Sequence, residues 1–284
     1  MRNSGTLYIV ATPIGNVADM SSRAREILQT VDKIAAEDTR HSKPLLQKLG
    51  IDTTLISYHD FSGEDSAKSI INELQLGSSI ALISDAGTPL ISDPGYKLVK
   101  QARNAGIAVL PIPGASAVMA ALCVSGLPTD RFLFEGFVPA KSGARKKFLQ
   151  GLQQEQRTCV VFESTHRIID CLRDMVSTLA NDRQIFIARE MSKKFETHFL
   201  GSADQCLTWI EADEHQQKGE FVIVIQGCAE ADIEESRQEL AMNIIDRLGD
   251  SLSMKDAVSL ASEISGARKN LVYEKVLALT SPRS

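Results

Sequence analysis

The chain has 284 residues, 43% of them hydrophobic, with a net charge of −5 and a pI of about 5.6. The length suits two domains, each with its own core, and the acidic balance excludes a protein that coats nucleic acid, so any nucleic-acid contact must be local. Five cysteines (Cys123, Cys159, Cys171, Cys206 and Cys228) without a Cys-x-x-Cys pair argue against a zinc site and for a reducing, cytoplasmic setting.

The first half alternates strand and helix patterns. "TLYIVAT" reads as a strand, and Pro13 and Gly15 cut its apolar run too short for a signal peptide. "SSRAREILQTV" has helical periodicity, with Ser21 or Ser22 as N-cap. "KIAAE" is a short strand, and "SKPLLQKLG" a helix ending on Gly50. "TLISYH" is a strand, "EDSAKSIINELQLG" a helix, "SIALIS" a strand, "PGYKLVKQARNAG" a helix and "IAVLPI" a strand. Strands separated by helices of this length imply right-handed βαβ units and a parallel sheet.

Asn104 to Thr129 carries no charged residue, yet Pro111 and Pro113 break it well before the roughly 20 apolar residues of a membrane span. It reads as a buried strand (107–110), a tight loop (111–115) and a buried helix from about Ser116, so no membrane contact is expected. From Arg131 the texture changes to a mixed α/β pattern. Strands fall at "RFLFEGFV", "TCVVFES", "RQIFIARE", "FETHFLGS" and "GEFVIVIQG", and the two flanking Met191–Lys194 form a hairpin. From Ala229 onward three polar helices are expected, near 233–248, 255–264 and 268–279, the last two with helix-turn-helix-like spacing. The predicted fold class is α/β: an α/β domain with a parallel sheet over 1–116, a mixed α/β domain over 117–228, a cleft between them, and a helical tail over 229–284.

Ligands of open parallel sheets bind beyond the carboxyl ends of the strands. Three loops leave such ends: "ATPIGN" (11–16), "SDAGTP" (84–89) and "PIPGASA" (111–117). Gly87 and Gly114 let backbone approach a ligand, Pro13, Pro89 and Pro113 pre-set turns, and Asp85 offers a carboxylate. Asp93, before Pro94-Gly95 and a helix, is read as a cap. Neither GxGxxG nor GxxxxGK[ST] is present in these loops, so the ligand need not carry phosphate, and a neutral or cationic adenosyl ligand fits better.

Glu37, Asp38, His41, His59 and Asp60 are the acidic and histidine candidates for a base, with a helix N-terminus as the plain role of Glu37-Asp38. Arg40 suits a phosphate or a carboxylate. "KSGARKK", with Lys141, Arg145, Lys146 and Lys147, is a candidate phosphate-binding patch, or else a solvated helix face. "GARKN" (266–270) is a weaker basic cluster.

"YIVATPIGN", "AAEDTRH", "SDAGTPLISDPG", "PGASA", "ESTHR", "ARE" and "KGE", in this order, resemble the tetrapyrrole methylase superfamily of class III AdoMet-dependent methyltransferases. Within it "TPIGN" with "EDTRH" is similar to the ribosomal RNA branch, whose members 2′-O-methylate a cytidine ribose of 16S rRNA in the small subunit. The resemblance runs from Leu7 to Gly227, plus a helical tail. It implies S-adenosyl-L-methionine (AdoMet) in the cleft, held by Pro13, Asp85, Ala86, Gly87, Thr88, Ser116, Ala117, Phe162, Arg189, Gly219 and Glu220. It also implies 16S rRNA as partner and a homodimer. Methyl transfer from a sulfonium is an in-line displacement by an already activated donor, so no metal is required, and alignment matters more than any single base. The sequence departs from the branch at Phe61 and Ser62, where relatives have His and Asn, and at Ala115, where they often have Pro. Two other readings are a methylase of a tetrapyrrole or other small molecule on the same fold, and a noncatalytic AdoMet-binding module that associates with ribosomes. The basic loop at 141–147 and "EDTRH" speak against the first, and the full set of cleft loops against the second.

Overall fold

The computed structural model describes residues 5–59, 64–248 and 251–280. Strands β1 (Thr6–Val10), β2 (Lys33–Ala36), β3 (Thr54–Ser57), β4 (Ile80–Ile83) and β5 (Ala108–Ile112) form one parallel sheet, in the order β3-β2-β4-β1-β5. Every residue of β4 is buried, as a central strand covered on both faces requires. On one face α3 (Glu64–Gln75) and α4 (Tyr96–Asn104) bring Leu74 and Leu98 against Leu7 and Leu82. On the other, α1 (Ser22–Thr30) and α2 (Thr39–Leu49) bring Leu28 and Leu46 against Val10 and Ile83. Ser21 caps α1, its hydroxyl accepting from the Ala24 amide. Helix α2 starts three residues before the expected Ser42, because the Asp38 carboxylate caps it by accepting from the Arg40 amide at 2.8 Å.

β5 is not the buried strand expected from the uncharged stretch. It lies at the sheet edge, with Leu110 and Pro111 exposed. That position accommodates Pro111, which has no N–H to give a ladder.

The second sheet is mixed, in the order β6-β7-β10-β8-β9. Its strands are β6 (Phe132–Phe137), β7 (Thr158–Ser164), β8 (Ile185–Arg189), β9 (Thr197–Gly201) and β10 (Glu220–Ile225); only the β6–β7 pair is parallel. β8 and β9 form the expected hairpin around Met191–Lys194. Helices α6 (Ser142–Gly151), α7 (Ile168–Val176) and α8 (Ala203–Glu211) cover one face through a core that includes Leu149, Leu172 and Ile210. The other face takes α5 (Ala117–Val124), whose Val118, Ala121 and Leu122 pack on Val160, Phe186 and Val224. Only one side of α5 is buried; Met119 and Val124 are exposed. The tail helices α9 (Glu230–Leu248), α10 (Met254–Ser265) and α11 (Lys269–Thr280) close a small core of Ala241, Val258, Ala261, Val272 and Val276. No described helix is long and apolar enough to cross a membrane.

Candidate functional site

Parallel pairing brings the loops after β1, β2, β4 and β5 to one edge of the first sheet. The loops after β1 and β4 are stitched together: the Thr12 amide donates to Gly87 O at 2.9 Å and the Gly87 amide to Thr12 O at 3.0 Å. The Thr88 hydroxyl donates to Ala115 O at 3.1 Å and so ties the β4 loop to the β5 loop. The β4 loop holds backbone in the left-handed region at Gly87 (φ 78°), Leu90 (φ 74°) and Ser92 (φ 68°). Non-glycine residues with such φ values are uncommon and concentrate at sites where the surroundings fix them.

The matching wall comes from the second sheet. The start of β10 pairs with the ends of β7 and β8, so Ser164, Arg189 and Glu220 reach one end together. The Thr165 hydroxyl accepts from the Gly219 amide at 2.8 Å and donates to Gly219 O at 2.6 Å, which pins the entry to β10. Between the two walls lies a cavity of about 550 Å³, within the roughly 300–1,000 Å³ of small-molecule sites. Asp85, Ala86, Gly87, Thr88, Ser116, Ala117, Phe162, Gly219 and Glu220, nine of the eleven residues that the resemblance assigns to AdoMet, line it. Ile14, Met191 and Val222 add apolar surface, while Asp85, Thr88 and Ser164 add polar groups. An apolar wall with a few polar groups and open peptide edges fits a nucleoside-bearing cation such as AdoMet.

Pro13 is buried and does not line the cavity; its neighbour Ile14 does. Arg189 is a correction. Its guanidinium is buried and turned away from the cavity, donating to Lys218 O at 2.5 Å and Phe195 O at 2.8 Å. An arginine with carbonyl partners on both flanking loops locks the β8–β9 hairpin. Asp93 is a second correction: the N-cap of α4 is Gly95, and Asp93 faces the cavity instead. Burial raises its pKa; a hydrogen bond from Ser84 opposes this, and the nearby Asp85 charge adds to it.

Among the candidate bases, His41 Nδ1 stands 3.3 Å from Asp85 Oδ2 and 3.8 Å from Asp38 Oδ2. Asp38 also binds Arg40 in a two-pronged pair, with Nε to Oδ1 at 3.0 Å and Nη2 to Oδ2 at 2.7 Å. Hydrogen bonds from the Arg40 side chain and amide hold the Asp38 carboxyl well below the usual carboxylate range. Asp38 is thus a cap and an arginine partner that stays ionised. Glu37 follows β2 directly. His59 sits past β3, the edge strand farthest from the cavity side, and shares a hydrogen bond with Ser57 Oγ at 3.0 Å. Asp60, Phe61 and Ser62 lie outside the described residues.

The basic loop divides. Lys141, Lys146 and Lys147 are exposed, whereas Arg145 is only 3% exposed. Its Nε donates to Asp174 Oδ2 at 2.7 Å across α6 and α7. The assignment of Arg145 to RNA is therefore corrected: it is a buried structural ion pair. Burial opposes ionisation of Asp174, but hydrogen bonds from Arg145 and Ser142 outweigh it and leave the pKa lowered. Lys146 also leans on Asp174, at 3.5 Å. Among the described residues no cluster of three or more His, Cys, Asp or Glu side chains could hold a metal ion.

The resemblance placed Glu163 and Ser164 in the cleft along with Phe162, and all three line the cavity; sequence reasoning did not assign Thr165, His166 or Met191 to the site, and they line it too. Glu163 is buried, and its Oε1 accepts from Arg167 Nη2 at 2.8 Å. The signal was the motif "ESTHR", in which five polar residues follow an apolar run directly.

Comparison with known proteins agrees with this architecture. A sequence profile of the tetrapyrrole (corrin/porphyrin) methylases matches residues 6–206, and one described as the RsmI C-terminal HTH domain matches residues 235–280. The chain is 46% identical over 275 residues to ribosomal RNA small subunit methyltransferase I of Escherichia coli, covering 97% of this chain and 96% of that one. It is 49% identical over 276 residues to the protein of that name from Xylella fastidiosa, covering 96% and 99%. Crystal structures share the fold at low identity. Uroporphyrin-III C-methyltransferase from Thermus thermophilus superimposes with a TM-score of 0.56 at 16% identity, over 78% of this chain and 94% of that one. Diphthine synthase does so with a TM-score of 0.58 at 16% identity, over 78% and 90%. A profile covering the first sheet and four of the five strands of the second, another covering most of the tail and near-half identity over almost the full length place the chain in the tetrapyrrole methylase family, within its ribosomal RNA small subunit methyltransferase I group.

Proposed function

We propose that the chain is an AdoMet-dependent methyltransferase that 2′-O-methylates the ribose of a cytidine in 16S rRNA of the small ribosomal subunit. The observation that carries this reading is the 46–49% identity to the small subunit methyltransferase I proteins over nearly the whole chain, helical tail included. A tetrapyrrole methylase shares the fold, but the solved examples are only about 16% identical to this chain.

AdoMet, when bound, supplies an activated methyl group. The residues that would hold it are Asp85–Thr88, Ser116, Ala117 and Gly219–Glu220, with Phe162, Ile14 and Met191 keeping water from the reacting centre. His41 is positioned at the cavity mouth by Asp85. With Nδ1–H donated to that carboxylate, Nε2 is left to accept the proton of a ribose hydroxyl. Asp38 keeps its charge and holds Arg40 at the same edge, where the guanidinium can meet an RNA phosphate.

The cytoplasm is the expected compartment for an enzyme with this substrate. A homodimer is expected too. Leu110, Met119 and Val124 are exposed in the uncharged stretch from 104 to 129, and a second copy would cover them. Light scattering at micromolar concentration should give twice the chain mass.

The decisive experiment is transfer of labelled methyl from AdoMet to purified 30S subunits, free 16S rRNA and a tetrapyrrole precursor in parallel. Digestion of the RNA should yield 2′-O-methylcytidine. Label on the tetrapyrrole alone, or on none of the three, would overturn the reading.

A further inference from the structure

We infer that single-stranded RNA beside the modified nucleotide is held by the exposed face of α2 together with the tip of the β8–β9 hairpin, with Phe195 as a base-stacking platform. This surface rests on the reading of the chain as an RNA methyltransferase, and it is separate from the basic loop at 141–147.

Two elements from different sheets meet here. The β1 loop is pressed onto the hairpin tip: a Cβ on Gly15 would stand 3.2 Å from Met191 O, and the Ser192 hydroxyl donates to the Asp19 carboxylate. Glu190 (φ 52°) and Ser192 (φ 64°) give the tip its sharp shape. The concavity between them, about 530 Å³, is lined by Asn16, Lys48, Lys193 and Lys194 among others.

Charge is distributed unevenly in it. The acidic groups at the tip are already engaged. Lys193 Nζ neutralises Glu190 and Glu220, each at 2.9 Å, and Glu196 takes the Ser192 amide and His198. Lys43, Lys48 and Lys194 are left without an ion-pair partner among the described residues. Arg40, Lys43 and Lys48 are all exposed along α2. Their spacing puts them on one side of the helix, spanning about 12 Å from Arg40 to Lys48 at 1.5 Å per residue. One end of this stripe is at the His41–Asp85 pair at the cavity mouth and the other at Lys194. An otherwise acidic chain thus presents uncompensated positive charge at Lys43, Lys48 and Lys194, with the Asp38-paired Arg40 at the end nearer its cavity.

Next to this charge, Phe195 is 65% exposed, and Lys194 Nζ lies 5.4 Å from the centre of its ring. Its backbone is fixed by the buried Arg189, so the ring is presented from a rigid point. An exposed aromatic ring flanked by lysines is the arrangement that stacks unpaired bases while cations follow the phosphates. Unpaired nucleotides can splay out one at a time, so a single strand brings a ribose into a cavity between two sheets more readily than a stacked duplex does.

The test uses the full chain and a fluorescein-labelled single-stranded oligoribonucleotide, followed by anisotropy between about 50 and 200 mM salt. For Lys48→Glu with Lys194→Glu, we expect affinity to fall at least tenfold and the salt slope to become shallower by about 1.4, two single-strand phosphate contacts. For Phe195→Ala, affinity should fall by about 5- to 100-fold with the slope unchanged. Melting temperature and AdoMet affinity by calorimetry should match wild type in both. RNA affinity and slope unchanged in both variants, with wild type still binding, would overturn the surface. So would a change in sedimentation mass with RNA affinity unchanged, which would make this face a contact between copies. Wild-type protein that neither binds nor methylates RNA would overturn the functional reading, and this surface with it.

Discussion

The Asp85 carboxylate stands 3.3 Å from His41 Nδ1 and also accepts the Asp38 amide at 3.3 Å, so one side chain joins the cavity wall to the start of α2. Two roles converge on Asp85: it lines the cavity and it orients the imidazole. Asp85→Ala should therefore weaken AdoMet binding by more than tenfold, since a hydrogen bond to a charged group contributes about 1.5–3 kcal/mol. It should also lower turnover at saturating AdoMet, because His41 loses its orientation. Wild-type affinity by calorimetry would refute the cofactor role.

His41→Ala separates the two roles. AdoMet affinity should stay within a few-fold of wild type, and single-turnover methylation should fall by at most about 10²–10⁴, the usual contribution of a general base. The activated donor supplies the driving force, so no variant among Glu37, Asp38, His41 and His59 should exceed that loss. A far larger drop in one of them, with both ligands bound, would show that a single base dominates the reaction.

Gly87 holds left-handed backbone where the β4 loop lines the cavity. Its φ of 78° is costly for a β-branched residue, and a Cβ there would meet Ile14 Cγ2 at 3.4 Å. Gly87→Val should remove detectable AdoMet binding and lower the melting temperature. Binding retained at the wild-type level would mean that the β4 loop does not contact the cofactor.

The loop edge of the first sheet was legible in the sequence because glycine and proline punctuate the strand ends; the second-sheet side came only from the family resemblance. "SDAGTPLISDPG" could only be a loop, and in a parallel sheet a loop after a strand lies at the ligand edge. The arginines were not legible. Arg145 looks like one more charge in "ARKK", and only its approach to Asp174, 29 residues later, makes it a buried structural residue. Arg189 sits at a strand end facing the cavity side, but its carbonyl partners are set by how the hairpin folds back. Lys48 and Lys194 are 146 residues apart and become neighbours only through contact between the two sheets. Local patterning reports periodicity and turns; it does not report which distant groups share a charge environment.

The two kinds of basic residue in 141–147 should separate in a mutant pair. Arg145→Met leaves Asp174 charged and buried, and removing one partner of a buried pair costs about 3–5 kcal/mol. Asp174 has a lowered folded pKa, so the pair's contribution is present above its ordinary value of 3.8 and is lost as pH falls through the lower folded value. The stability gap between wild type and Arg145→Met should therefore close only in strong acid. Lys141→Glu with Lys147→Glu, at exposed positions away from Asp174, should instead leave stability nearly unchanged at neutral pH and weaken RNA binding. Denaturant melts of both variants at neutral and acid pH, with RNA anisotropy, check the division. Equal stability of Arg145→Met and wild type at pH 7 would refute the structural role.

Asp93 carries the opposite sign. Its folded pKa is raised, chiefly by burial, with the Asp85 charge adding to it. Above that raised value the folded state holds a poorly solvated carboxylate that the unfolded chain would hydrate freely, so ionisation costs stability at neutral pH. The cost disappears as pH falls through the raised value, and below the ordinary value of 3.8 the group is protonated in both states. Asp93→Asn keeps the shape and removes the charge. Without AdoMet it should melt at a higher temperature than wild type at pH 7, and the difference should vanish near pH 3.5. With AdoMet present the order should narrow or reverse, because a carboxylate facing the cavity stabilises a bound cation, and the wild type regains through ligand binding what it loses to desolvation. Calorimetric melts across this pH range, with and without AdoMet, read all three outcomes. An Asp93→Asn protein less stable than wild type at pH 7 without the cofactor would show that the carboxylate has partners in the fold that outweigh its burial.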